Sequence, residues 1–130
     1  GWLRKRAAVI STAADIDDSE VCVLLVSNQR IHELNLEWRG MDKPTDVLSF
    51  PQNEGDFAEL HSDVLGDVVI SLEQADHQRS ERTLMDEVTH LLIHGVLHLL
   101  GHDHAEAVDT RAMRAEEERI WSALRAEESK

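Results

Sequence analysis

A chain of 130 residues, 42% of them hydrophobic, can bury one core and not two, so a single domain over 1–130 is expected. Its 26 acidic against 13 basic side chains give a formal charge of −13, which excludes a broad phosphate-neutralising face of the kind that holds duplex DNA. The longest apolar run, 21–26, is far short of the roughly 20 residues that cross a bilayer, and the basic start Gly1-Trp2-Leu3-Arg4-Lys5-Arg6 is not followed by a signal-like apolar stretch; a soluble, cytoplasmic protein with no membrane partner is expected.

Residues 2–14 read as a short helix with Leu3, Ala7 and Ile10 turned inward, ended by the polar run 15–19. The β-branched stretch 21–27 reads as a buried strand, and its lone Cys22, between Val21 and Val23, as a buried thiol suited to a reducing compartment. Ser27 or Asn28 caps a helix running to Trp38, in which Ile31, Leu34, Asn35 and Trp38 recur at helical spacing. Residues 39–46 read as a loop, 47–50 as a strand that Pro51 confines to an edge, and 52–63 as a polar excursion without periodicity.

A third strand follows at 65–70, then a helix from Ser71 toward His77, and after a polar break a long apolar helix over 83–100 that Gly101 stops. Residues 105–127 form a charged amphipathic helix. Its stripe of Val108, Ala112, Met113, Ala115, Ile120 and Leu124 is expected to pack, and Glu116-Glu117-Glu118 to be a solvated face.

The strongest chemical signal is His94-Gly95-Val96-Leu97-His98-Leu99-Leu100-Gly101-His102-Asp103-His104. His94 and His98, four apart, share one helix face, and Gly101 can adopt the left-handed turn that brings His104 back to the same point. A single histidine on an apolar helix is most simply a core residue; three in this register with a helix-stopping glycine between them form a metal site. His102 is the rival third ligand, but a helix ending at Gly101 turns it off the face, so His104 is favoured. Three imidazoles leave one tetrahedral position open, the arrangement in which zinc lowers the pKa of a bound water toward about 7. His90, one turn earlier, reads as a supporting or packing residue, because a fourth protein ligand would close the site, and Asp103 as a partner that orients an imidazole.

The register matches the zinc-peptidase pattern H-E-x-x-H-x-x-G-x-x-H, but Gly95 stands where a peptidase carries its general base. A different substrate is implied. Arg39 is the candidate for a phosphate or a developing anion, since guanidinium binds phosphate oxygens bidentately; the simpler alternative pairs it with Asp42 or Asp46. Lys43 is a weaker substrate-binding candidate, and Thr45-Asp46 reads as a turn cap. The charge is uneven, about −2 over the first fifty residues and −11 over the rest, so a local cationic groove built on Arg39, Lys43 and Arg4 to Arg6 is compatible with the overall acidity.

The segments "LNLEWRGMDKPTDVLSFP" at 34–51, "LGDVVIS" at 65–71 and "HGVLHLLGHDH" at 94–104 resemble, in order and spacing, the YbeY family of metal-dependent endoribonucleases, the rRNA maturation factors of bacteria. The similarity runs over almost the whole chain. It implies an α+β fold, a small mixed sheet packed with helices, and one zinc ion held by His94, His98 and His104 at the end of the central apolar helix. It implies hydrolysis of single-stranded RNA in rRNA processing, including the 3′ end of 16S rRNA, and in ribosome quality control, with the ribosome or small-subunit factors as partners. Arg39 carries over as the functional arginine. Relatives commonly have Tyr where this chain has His102, which leaves the three ligands intact, and usually begin with a strand before the first helix, which this chain is expected to lack. Two rival readings are a zinc peptidase-like hydrolase, weakened by Gly95, and a ribosome-associated assembly factor whose metal is structural.

Overall fold

The computed structural model describes residues 1–51, 64–102 and 107–130. Its elements are α1 (Trp2–Ala13), β1 (Glu20–Val26), α2 (Asn28–Arg39), β2 (Val47–Pro51), β3 (Val64–Ser71), α3 (Leu72–Gln78), α4 (Leu84–Leu99) and α5 (Ala107–Glu128). The three strands form a mixed sheet in the order β1-β3-β2, with β1 parallel and β2 antiparallel to β3. The fold is α+β, a small sheet packed with helices.

Local chemistry sets the boundaries. Ser27, Ser71 and Thr83 each adopt an extended backbone and accept the amide three residues on, from Arg30, Gln74 and Asp86, satisfying a donor that the first helical turn leaves open. At the far end of α2, Gly40 takes a left-handed φ of 71°, and the amides of Gly40 and Met41 return to the carbonyls of Leu36 and Asn35. This closure makes Arg39 the last helical residue rather than the first of a loop.

The central strand β3 carries apolar residues on both faces, since helices pack on each. Val68 and Ile70 face α4 and Val69 faces α2. The main core joins Val68 and Ile70 to Val88, Leu92, Ile93 and Leu97 of α4, Ile10 of α1 and Met113, Ile120 and Leu124 of α5. A smaller core holds Ile31 of α2 with Leu48 and Val69.

Four expectations are corrected. Cys22 is exposed, because β1 alternates: Val21 and Val23 pack on the α4 side, while Cys22 and Leu24 turn to the other face. Trp38 is exposed, although it shares helical spacing with buried Ile31 and Asn35. On α5, Ala112 and Ala115 are exposed, so the buried stripe is narrower than expected. Arg6 is buried, with Nε 2.8 Å from Glu128 Oε1, and Nη1 2.9 Å from Asp86 Oδ1 and 2.8 Å from Thr89 Oγ1. It ties α1 to α4 and α5, and is spent there rather than lending charge to a groove.

Candidate metal centre and substrate cleft

Histidines on successive turns of α4 line one face of the helix. The rings of His90 and His94 lie 5.0 Å apart, those of His94 and His98 6.0 Å apart, and His98 occupies the last turn. α5 runs past this face and brings Glu117 Oε1 to 2.8 Å from His94 Nδ1. Ligand atoms of His90, His94 and Glu117 all fall within 4.8 Å of one another, none of the three residues being exposed. His90 Nδ1 is buried with no hydrogen-bond partner among the described residues. Burial first, then the neighbouring His94 and Arg82, push its pKa down against the opposing pull of Glu117 and Glu87. A lowered pKa favours the neutral ring, the form that binds metal. Two imidazoles and a carboxylate are a donor set that zinc and similar divalent ions accept, so the residues fit a metal ion.

The expected ligands are distributed as follows. His94 and His98 share the face that their spacing requires. Past them the helix closes, with Gly101 at a φ of 97° and the amide of His102 returning to the Leu97 carbonyl; His102 lies near Glu116 of α5. His104 and Asp103 lie outside the described residues. Glu117 was expected to be solvated, and it is instead half-buried against His94. A signal for it exists in the sequence: with Met113, Ile120 and Leu124 it completes a 113-117-120-124 helical period, so a carboxylate occupies a position on the packing stripe.

Arg39 reaches the same region from the other side. Its Nη2 donates to the Ser49 carbonyl at 2.6 Å, its guanidinium carbon lies 5.0 Å from the Phe50 ring centre, and it makes no ion pair among the described residues. The anticipated partners are engaged elsewhere: Asp42 lies 2.7 Å from His32 Nε2, and Asp46 accepts the Val47 amide and the Gln78 side chain. A cleft of about 450 Å³ is lined by Arg39, Asp46, Val47, Leu48, Ser49, Pro51, His94 and His98. It adjoins a second cavity of about 700 Å³ through the shared walls Asp46 and His94, and His90 lies in that second cavity. Lys43 does not line the cleft; its backbone carbonyl instead accepts the Asn35 amide group at 2.9 Å.

The family model described as Endoribonuclease YbeY matches residues 2–125. The chain belongs to the YbeY endoribonuclease family. It is similar to the Endoribonuclease YbeY of Desulfitobacterium hafniense, 40% identical over 125 residues that cover 91% of this chain and 80% of that one. The Endoribonuclease YbeY of Carboxydothermus hydrogenoformans is 53% identical over 106 residues, covering 80% of this chain and 71% of the relative. Among solved structures, the solution structure of TM1509 from Thermotoga maritima matches with a TM-score of 0.55 and 29% identity, covering 96% of this chain and 83% of that one.

Within this YbeY-family fold, Gly95 is a packing requirement as well as a missing base. A Cβ there would stand 2.5 Å from Val68 Cγ1 and 3.2 Å from Ser49 Oγ, and its own carbonyl accepts the Ser49 hydroxyl at 3.0 Å. α4 is seated so closely on β2 and β3 that no side chain fits. A peptidase-style glutamate next to His94 has no room in this arrangement.

Proposed function

We propose that this YbeY-family chain is a single-strand-specific, zinc-dependent endoribonuclease, and that it acts in the cytoplasm on rRNA, including the 3′ end of 16S rRNA, and in ribosome quality control. The observation that carries this reading is the convergence of Arg39 with His94 and His98 on one cleft. His94, His98 and His104 would hold one zinc ion, with His90 and Asp103 supporting the imidazoles. When bound, such an ion supplies Lewis-acid polarisation and an activated water.

The remaining roles belong to the chain. Arg39 is fixed by the Ser49 carbonyl and the Phe50 ring, keeps further N–H donors for the oxygens of a phosphodiester, and is paired with no carboxylate among the described residues. Its part is to bind the scissile phosphate and stabilise the charge that builds on it. Lys43 would act only further along the strand. With a net charge of −13, long-range attraction to RNA is absent, so a ribosomal partner that delivers the substrate fits better than capture of naked RNA.

A second ligand set has its own support, because His90, His94 and Glu117 already converge. The deciding experiment measures metal per chain and cleavage of a single-stranded RNA for the parent, His98→Ala and Glu117→Gln, each with and without chelator. The expected outcome is chelator-sensitive cleavage by the parent, loss of metal and activity in His98→Ala, and retained metal in Glu117→Gln. Metal retained in His98→Ala and lost in Glu117→Gln would move the ion to the second set. A metal-loaded parent that leaves RNA intact would refute the endoribonuclease reading and favour the assembly factor, and chelator-sensitive casein cleavage would favour the peptidase.

A further inference from the structure

The face of the sheet opposite α4 is only partly covered. α2 packs over Leu48 and Val69, and beyond that contact a groove of about 420 Å³ is left open between α2 and the sheet. Trp38 forms its rim at 61% exposure and Leu24 lies in it at 49%. Leaving an indole in water forgoes a large burial gain, and Trp38 is held upright by an edge contact with Phe50 at 6.4 Å between ring centres. Phe50 also carries the Arg39 guanidinium, and Pro51 belongs to both the groove and the His94–His98 cleft. The groove and the cleft thus share Pro51 as a common wall.

Charge selects what can enter. The ionised groups in the groove are Arg30, already paired with Glu33 at 3.1 Å, and Asp67, a half-buried carboxylate with no hydrogen bond or ion pair among the described residues. Among the described residues no uncommitted cation of the groove awaits a phosphate, and the carboxylate repels one. A flat, neutral ring with N–H groups on its edge suits both the indole and Asp67. A protein of net charge −13 also gains little affinity for RNA from broad phosphate neutralisation, whereas stacking on an aromatic ring acts without net charge.

We propose that this groove is a nucleobase subsite: a base of the single-stranded RNA close to the phosphate at Arg39 stacks on Trp38 and offers an edge N–H to Asp67. The inference rests on the endoribonuclease reading and extends it to how the strand is held.

The test uses the zinc-loaded protein and a set of short single-stranded RNAs, each with one abasic nucleotide at a different position, cleaved by the parent, Trp38→Ala and Trp38→Phe. In the parent, one abasic position near the cut is expected to raise KM roughly tenfold, the value of one stacked base, with kcat little changed. Trp38→Ala should raise KM for the intact RNA by a similar factor and lose its sensitivity to that one position, while Trp38→Phe restores both. Two results overturn the subsite alone: Trp38→Ala behaving as the parent on every RNA, which would leave the face to a protein partner, or a loss in Trp38→Ala that leaves the abasic pattern unchanged. A zinc-loaded parent that cleaves none of the RNAs overturns the subsite together with the reading it rests on.

Discussion

The two faces of the sheet are built to different ends. On one, α4 is pressed so close that Val68 and Ile70 are fully buried and Gly95 can have no side chain. On the other, α2 seals Ile31 against Val69 and Leu48 and then leaves Leu24 and Trp38 in solvent. The closed face carries stability and the imidazoles, and the open face carries surface for a ligand. β2 connects them because consecutive strand residues point to opposite faces. Ser49 reaches the α4 side, where its hydroxyl bonds the Gly95 carbonyl, and Phe50 reaches the Trp38 side. Arg39 touches both, through the Ser49 carbonyl and the Phe50 ring. One arginine therefore sits where rigidity and access meet.

The comparison breaks most sharply at Gly95. Gly95→Ala forces a methyl to 2.5 Å from Val68, a fully buried side chain whose β-branching stiffens it at χ1, and overpacking of this kind costs about 1–3 kcal/mol. Gly95→Glu adds a charge at the same buried spot and is expected to prevent folding. Urea unfolding of Gly95→Ala, Val68→Ala and the double variant would show the clash directly: the double should be more stable than the two single losses added together. Simple additivity would mean that α4 does not rest on β3 as closely as described. A well-folded Gly95→Glu protein would reopen the peptidase reading.

Much of this was legible in the sequence. The Ser27 cap, the helix start at Ser71, the Gly101 stop and the apolar continuity of 84–99 all act through neighbours in the chain, so local pattern reveals them. The shared face of His94 and His98 follows from helical period alone. What stayed hidden depends on which distant element arrives opposite. Nothing in the sequence around Arg6 says that Glu128 and Asp86 will enclose it, or that α2 will leave Trp38 exposed beside Phe50. Cys22 was misplaced because alternation fixes that it opposes Val21 and Val23, but not which face a helix covers. Glu117 is intermediate: its period with Met113, Ile120 and Leu124 marks the face, while the identity of its partner, His94, needs the α4–α5 packing.

At the junction of the two faces, Arg39→Ala is expected to change catalysis and leave stability nearly untouched. The side chain is exposed and bonded to one carbonyl, so its loss should shift stability by under about 0.5 kcal/mol. Removing a preorganised donor from a developing anion costs about 10²-fold in kcat. Arg39→Lys should recover only part of that, since an ammonium cannot make the two-pronged contact with a phosphate. Metal content distinguishes this from damage to the imidazole cluster: it should stay at the parent's level in Arg39→Ala, while KM for the RNA rises with the lost phosphate contact. If stability falls as well, the guanidinium belongs to the closed face rather than to the boundary.

The smallest expected effect lies on α5, where two neighbouring glutamates have opposite fates. Glu117 turns inward to His94, while Glu116 points outward and accepts from Arg119, whose hydrogen bond holds its carboxyl below the usual glutamate range, against a small opposing effect of burial. A carboxyl whose pKa is depressed on folding contributes stability above its unfolded pKa and loses it as pH falls through the folded value. Glu116→Gln should therefore lower stability at neutral pH by less than about 1 kcal/mol, since the pair is largely exposed and screened, and the difference from the parent should begin to shrink as pH falls below about 4.5 and vanish only below the lower folded value. Added salt should shrink the same difference at neutral pH. Metal content should not change, because Glu116 is off the imidazole face. A loss of metal in Glu116→Gln with none in Glu117→Gln would mean that α5 is rotated by one residue about its axis, and the carboxylate beside His94 would have to be reassigned.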